Sequence, residues 1–240
     1  MRYKGVVSYD GTNYAGFQSQ NNGTGIQEVI EKAFRLMTQT DIKIHSAGRT
    51  DKGVHAIGQV FHFDSEIDLP SDIWVRGVND RMPLDIRLKK VVKVKKDFHA
   101  RHSAKSKVYK YVIAKKPSSA FSKNYEVYVK DLDFEKMRLA MQDLVGTHDF
   151  RGFCQLVPGK PTEKTIFSAT MKETKKHVVF TFHGKSFLKY MVRSMMGTLI
   201  QIGMGRKEVS VISEILLTKD RTLAGKTAES RGLFLVRIYY

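Results

Sequence analysis

The chain has 240 residues, 42% hydrophobic and 27% charged, a balance that supports a packed core and excludes a disordered or fibrous chain. Forty-one Lys and Arg stand against 24 Asp and Glu, a net charge of +17, which points to a polyanionic partner, nucleic acid before anionic membrane, although a merely basic surface has the same balance. The single cysteine, Cys154, excludes an intramolecular disulfide and a thiolate-rich zinc site, and it fits a reducing cytoplasm.

Residues 1–11 lack an apolar stretch and are not expected to be a secretory signal. Val6, Val7 and Tyr9 form a β-prone run that ends at the turn signal Asp10-Gly11. A polar loop spans 12–23. Thr24 and Gln27 then have the spacing of a capping box, ahead of the helical stripe Ile26, Val29, Ile30, Ala33, Phe34 and Met37. Segments 42–46 and 57–63 read as strands around the loop Gly48-Arg49-Thr50-Asp51-Lys52-Gly53. A helix is predicted over 73–82, stopped by Pro83, then a half-exposed strand over 86–94 and a strand over 108–113. Asp133 is placed to cap a helix whose apolar face is Phe134, Met137, Ala140, Met141, Leu144 and Val145, with Gly146 ending it. Segments 166–171 and 178–182 suit a hairpin. The apolar stretch 187–204 contains Lys189, Arg193 and Gln201, so it reads as a buried helix rather than a membrane span. A short helix over 209–217 and a strand over 233–238 close the chain. Several strands lie too close in sequence for βαβ crossovers, so the expected class is α+β with antiparallel sheet. The aperiodic basic stretch near 100–107 sets the expected division, 1–104 and 105–240.

Three places could carry chemistry. Asp51 stands between Arg49 and Lys52, and flanking cations favour the ionised form that a nucleophile or base requires; a plain charged turn has the same composition. Arg193 sits among apolar residues, where a guanidinium needs an acceptor. Asp51 could supply it, as could another acidic residue, or the arginine could lie on an exposed edge. On a strand, Tyr109 and Tyr111 share a face beside Lys107 and Lys110. Rings and cations so mixed suit bases and phosphates, although alternating tyrosines also occur in core strands. His99 and His102 have no carboxylate cluster beside them, and no metal site is expected.

Taken in order, these segments resemble the TruA family of tRNA pseudouridine synthases. The resemblance rests on Tyr9-Asp10-Gly11-Thr12 with Gly16, Gly48-Arg49-Thr50-Asp51-Lys52-Gly53-Val54-His55-Ala56, Gly58-Gln59-Val60 and Phe98-His99-Ala100-Arg101. It continues through Ser106-Lys107-Val108-Tyr109-Lys110-Tyr111, Gly146 with Asp149-Phe150, Met191-Val192-Arg193 and Gly232-Leu233-Phe234-Leu235. Phe17, Lys164 and Glu229 depart from residues usual in that family. The resemblance implies the pseudouridine synthase fold, α+β, with two ferredoxin-like halves, antiparallel sheet and a central active-site cleft. It implies a cytoplasmic homodimer that acts on tRNA, on uridines of the 3′ side of the anticodon stem-loop at tRNA positions 38, 39 and 40. No cofactor and no membrane are implied. Asp51 would be the catalytic carboxylate and Arg193 would hold it ionised, while Tyr109 would pack on the target base. Arg49 would take the place of the flipped nucleotide, with Tyr111, Arg101 and Lys107 also binding substrate. A non-catalytic RNA-binding protein on the same fold would lack Asp51, Tyr109 or Arg193, and a metal-dependent nuclease should show clustered carboxylates.

Overall fold

Arg2–Tyr9 (β1) alternates half-exposed and buried side chains residue by residue, the period of a strand with one face on a core. The structure, a computed structural model, describes residues 1–18 and 23–240; positions 19–22 of the expected polar loop lie outside the described residues. The chain divides into two compact units, Met1–Lys105 with Phe234–Tyr240, and Ser106–Leu233. The terminal strand therefore returns to the first unit, which the expected division at 104/105 did not include.

In the first unit β1 pairs antiparallel with His55–Asp64 (β3) on one side and Ile86–Lys93 (β4) on the other. Ile44–Ser46 (β2) pairs antiparallel with residues 61–63 of β3, and the terminal strand pairs parallel with His55 and Ala56. Two helices, Ile26–Thr38 (α1) and Ser71–Asn79 (α2), bring Phe34 and Trp74 onto Tyr3 and Phe63. Those rings lie 4.7–5.7 Å apart at their centroids and are almost wholly buried, and so large an apolar cluster dominates the local stability.

The capping box expected at Thr24 and Gln27 is not formed. The N-cap is Gly25 and makes no side-chain cap bond. Instead the first amides of α1 donate to the preceding loop, Ile26 N to Gly16 O at 3.1 Å and Gln27 N to Phe17 O at 2.8 Å. The Gln27 amide goes to Glu31 Oε1 and Ile44 O. Loop backbone has replaced the side-chain cap, because a helix end needs acceptors and not any particular source of them.

The second unit orders Ser106–Ala114 (β5), His177–Gly184, Glu163–Glu173 and Gly146–Asp149 as an antiparallel run, and Val127–Tyr128 (β6) adds to β5 in parallel. In chain order these partners are β7 (Gly146–Asp149), β8 (Glu163–Glu173) and β9 (His177–Gly184). Phe134–Gln142 (α3) starts as expected, with Asp133 Oδ1 accepting from Lys136 N at 3.0 Å. Met191–Gly203 (α4) and Val211–Thr218 (α5) complete the helices, and the terminal strand is Leu233–Tyr239 (β10). The fold is thus α+β with mostly antiparallel sheet. Among the described residues no helix is long and apolar enough to cross a membrane.

Candidate active site

The loop carrying Asp51 joins β2 to β3 and is fastened at several points. Ala47 N donates to Val60 O at 2.8 Å, and the buried Gln59 amide donates to Gly48 O at 2.7 Å. Thr50 is buried, with its hydroxyl 2.8 Å from the Tyr9 hydroxyl. Burial pushes the Tyr9 phenol well above its ordinary range, so this partner stays protonated at neutral pH. Phe17 N donates to Thr50 O at 3.1 Å, and Val54 N closes a turn onto Asp51 O at 3.1 Å.

The segment 10–17 comes so close to this loop that side chains are excluded. A Cβ on Gly11 would lie 2.1 Å from Val54 O. Gly16, at φ +114, would put one 2.7 Å from Thr50 O, and its backbone conformation is one that other residues adopt only under strain. Gly11 N also donates to Nδ1 of the buried His55 at 3.1 Å, and that ring stacks on Phe234 at 4.7 Å. Asp51 is held half-buried on this support, while Arg49 and Lys52 on either side are exposed. A carboxylate placed in this way can meet a substrate without being stranded in an apolar interior. Sequence reasoning named Tyr9, Gly11 and Gly16 as motif residues but not their work of clamping this loop, Tyr9 and Gly16 against Thr50 and Gly11 against Val54.

Tyr109, Tyr111 and Arg193 belong to the second unit. On β5, Tyr109 pairs with Phe182 and Tyr111 with Phe180. Tyr109 keeps a little exposure, and its ring meets Phe187 edge-on at 5.0 Å. Tyr111 has none: it is 0% exposed, and its hydroxyl donates to Glu229 O at 2.9 Å. The expected substrate contact of Tyr111 therefore gives way to a packing role, since a fully buried ring has no face to offer a base. Lys107 on the same strand is half-buried.

Arg193 lies in the first turn of α4 rather than within a helix running from residue 187. Tyr190, left-handed at φ 64, precedes the helix and blocks an earlier start. Arg193 Nε donates to Ala228 O at 2.8 Å, and Ala228 N returns a bond to Arg193 O at 3.0 Å. The guanidinium also lies 5.4 Å from the Tyr190 ring. Its Nε edge is thus fixed by the chain's own backbone, which orients the planar group. The roles of Tyr190, Phe187 and Ala228 left no trace in the sequence pattern. Arg101, in the first unit, is exposed on a turn after β4. Among the described residues no group of three or more His, Cys, Asp or Glu is placed to hold a metal ion.

A family described as tRNA pseudouridine synthase matches residues 6–103 and 140–240. The tRNA pseudouridine synthase A of Phytoplasma mali (strain AT) is 41% identical over 241 residues, spanning 100% of this chain and 99% of that protein. The protein of the same name from Streptococcus thermophilus (strain CNRZ 1066) is 42% identical over 246 residues, again across 100% of this chain and 99% of its own length. That of Aster yellows witches'-broom phytoplasma (strain AYWB) is 39% identical over 238 residues, covering 99% of this chain and 98% of its own.

Proposed function

Since the chain belongs to the tRNA pseudouridine synthase family, we propose that Asp51 is its catalytic carboxylate and that its substrate uridines lie in the anticodon stem-loop of tRNA, on the 3′ side at positions 38, 39 and 40. The family reaction isomerises uridine to pseudouridine. The bond from N1 of uracil to C1′ of ribose breaks, the base turns, and C5 bonds to C1′. C5 then gives up its proton and N1 gains one, so no atoms are gained or lost overall. Attack on the ribose, attack on the base and removal of a ribose proton all require an ionised carboxylate oxygen. The observation that carries the reading is the support of Asp51: a loop pinned through Thr50 to Tyr9 and Phe17, with Asp51 half-buried between exposed cations.

The other groups take roles by the same chemistry. Arg193 orients the Asp51 carboxylate and keeps it ionised. The Tyr109 ring packs on the target base, and its hydroxyl handles the C5 proton. Arg49 fills the place that the flipped nucleotide leaves in the stem, and Arg101 and Lys107 neutralise phosphates. The working species is a homodimer in the cytoplasm, with neither cofactor nor membrane. Incubation with unmodified tRNA followed by nucleoside chromatography tests the activity. Mapping the product on transcripts with single uridines changed tests the position. Pseudouridine confined to the 3′ side of the anticodon stem-loop is expected, and product found only elsewhere in the tRNA would overturn the assignment.

A further inference from the structure

The proposed reading puts Arg101 on the RNA backbone, yet what holds Arg101 is a group of imidazoles to which that reading gives no task. His62 on β3 is 3% exposed and stands opposite His45 of β2, with the two rings stacked at 5.0 Å. The His99 ring lies 4.6 Å from that of His62 and 4.3 Å from that of His102. Two of these rings fasten the main chain around Arg101. His62 Nδ1 accepts from Ala100 N at 3.2 Å, and His99 Nδ1 accepts from Arg101 N at 3.1 Å and from His102 N at 3.3 Å. A ring nitrogen that accepts must carry its lone pair, so both rings act as neutral imidazoles with the proton on Nε2. The turn is also closed by Ser103 N to His99 O at 2.8 Å and by Tyr240 Oη to Ala100 O at 2.7 Å.

We propose that His62 and His99 are positioning residues for the family reaction: as neutral acceptors they fix the turn over 99–103 and so present Arg101 to the RNA backbone, with the result that acidification loosens substrate binding. The inference rests on the reading that Arg101 contacts tRNA. Surrounding charge favours the neutral rings. Burial first, then His99, His45 and Arg2, bring His62 down to about 4, against the opposing pull of Asp64. Burial, His102, His45 and Arg2 also lower His99. Asp64 is engaged by Arg2 through both oxygens, at 2.9 and 2.7 Å, and this blunts its pull on His62.

The sign follows from linkage. The closed turn binds fewer protons than an open one, so its stability is complete above the ordinary histidine value near 6.5 and is lost as pH falls from there toward 4. Simple charge predicts the reverse, because protonated histidines add positive charge and tighten binding to phosphates.

The test measures Kd for an unmodified tRNA transcript at fixed ionic strength, near pH 7.5 and near pH 5, with far-UV circular dichroism to verify folding. The wild-type protein is expected to bind about tenfold more weakly at the lower pH. In His99→Asn and His62→Asn/His99→Asn the amide oxygen stands where Nδ1 stood and accepts without titrating. Both variants should match wild type near pH 7.5; near pH 5 the double variant should keep its affinity, while His99→Asn, in which His62 still titrates, should weaken less than wild type does. His99→Ala, with no acceptor, should be weak at both. A wild-type affinity that holds or rises near pH 5, or Asn variants that weaken in parallel with wild type, would overturn the proposal. Arg101→Ala tests the premise separately. Weaker binding near pH 7.5 upholds it, whereas wild-type affinity removes the contact that the histidines are proposed to position.

Discussion

Tyr109 and Tyr111 are the same residue type two positions apart on one strand face, and they differ in burial, Tyr109 keeping a little exposure and Tyr111 none. The Tyr111 hydroxyl is committed to Glu229 O inside the second unit, and burial raises that phenol above its ordinary range. Tyr111→Phe would remove the part-buried bond to the Glu229 carbonyl, so a loss of about 0.5–1.5 kcal/mol of stability is expected, read from the urea midpoint, with turnover little changed. Tyr109→Phe keeps the edge-on packing against Phe187 and removes only the oxygen. It should bind tRNA as wild type does and fail at turnover, after the bond from base to ribose has broken. Single-turnover rates on saturating tRNA check this, and a near wild-type rate for Tyr109→Phe would reduce Tyr109 to a packing residue. The sequence placed both rings on one face. It could not say where the Tyr111 hydroxyl bonds, because Glu229 lies 118 residues away from Tyr111.

At the scale of elements, α4 shows where sequence pattern runs out. The apolar stretch 187–204 reads as one helix, but the left-handed Tyr190 delays its start to Met191, and a non-glycine residue in that conformation has no reliable sequence signal. The delay puts Arg193 in the first turn, where its Nε meets Ala228 O. Arg193→Lys exchanges a planar fork for a single ammonium and cannot both keep that bond and serve the role proposed for Arg193 toward the Asp51 carboxylate. The expected result is a fall in kcat of about tenfold or more, with tRNA affinity within about twofold of wild type; an unchanged kcat would remove Arg193 from the reaction. Alternation of apolar residues with Lys and Arg made β4 legible over 86–94, while β1 and β9 were read only in part, as a β-prone run through Val6, Val7 and Tyr9 and a hairpin arm over 178–182. The two-residue β6 and four-residue β7 were not read as strands, since so few residues carry no period. The missing capping box at α1 has a related cause. The acceptors that replaced it come from Gly16 and Phe17, and only the folded loop brings them there.

For the whole molecule the net charge of +17 is the most general signal, and the sequence carried it in full. Affinity for tRNA should fall steeply with salt, with a log–log slope of about −0.9 for each duplex phosphate neutralised; titrations between low and physiological salt measure it, and a flat response would assign the basic surplus to something else. The return of the terminal strand to the first unit was not legible, because strand pairing between residues 55–56 and 234–235 leaves no mark in either segment. The loop of Asp51 was legible as a charged turn bounded by glycines, whereas its clamping by Tyr9, Gly11 and Gly16 was not. That clamp gives the central claim its direct test. Asp51→Asn preserves the side chain's shape and removes its charge, so the support should stand and tRNA should still bind. With saturating unmodified tRNA and nucleoside chromatography, pseudouridine formation by Asp51→Asn should be abolished while Kd stays within about twofold of wild type. Turnover above about one-tenth of wild type would contradict Asp51 as the essential carboxylate.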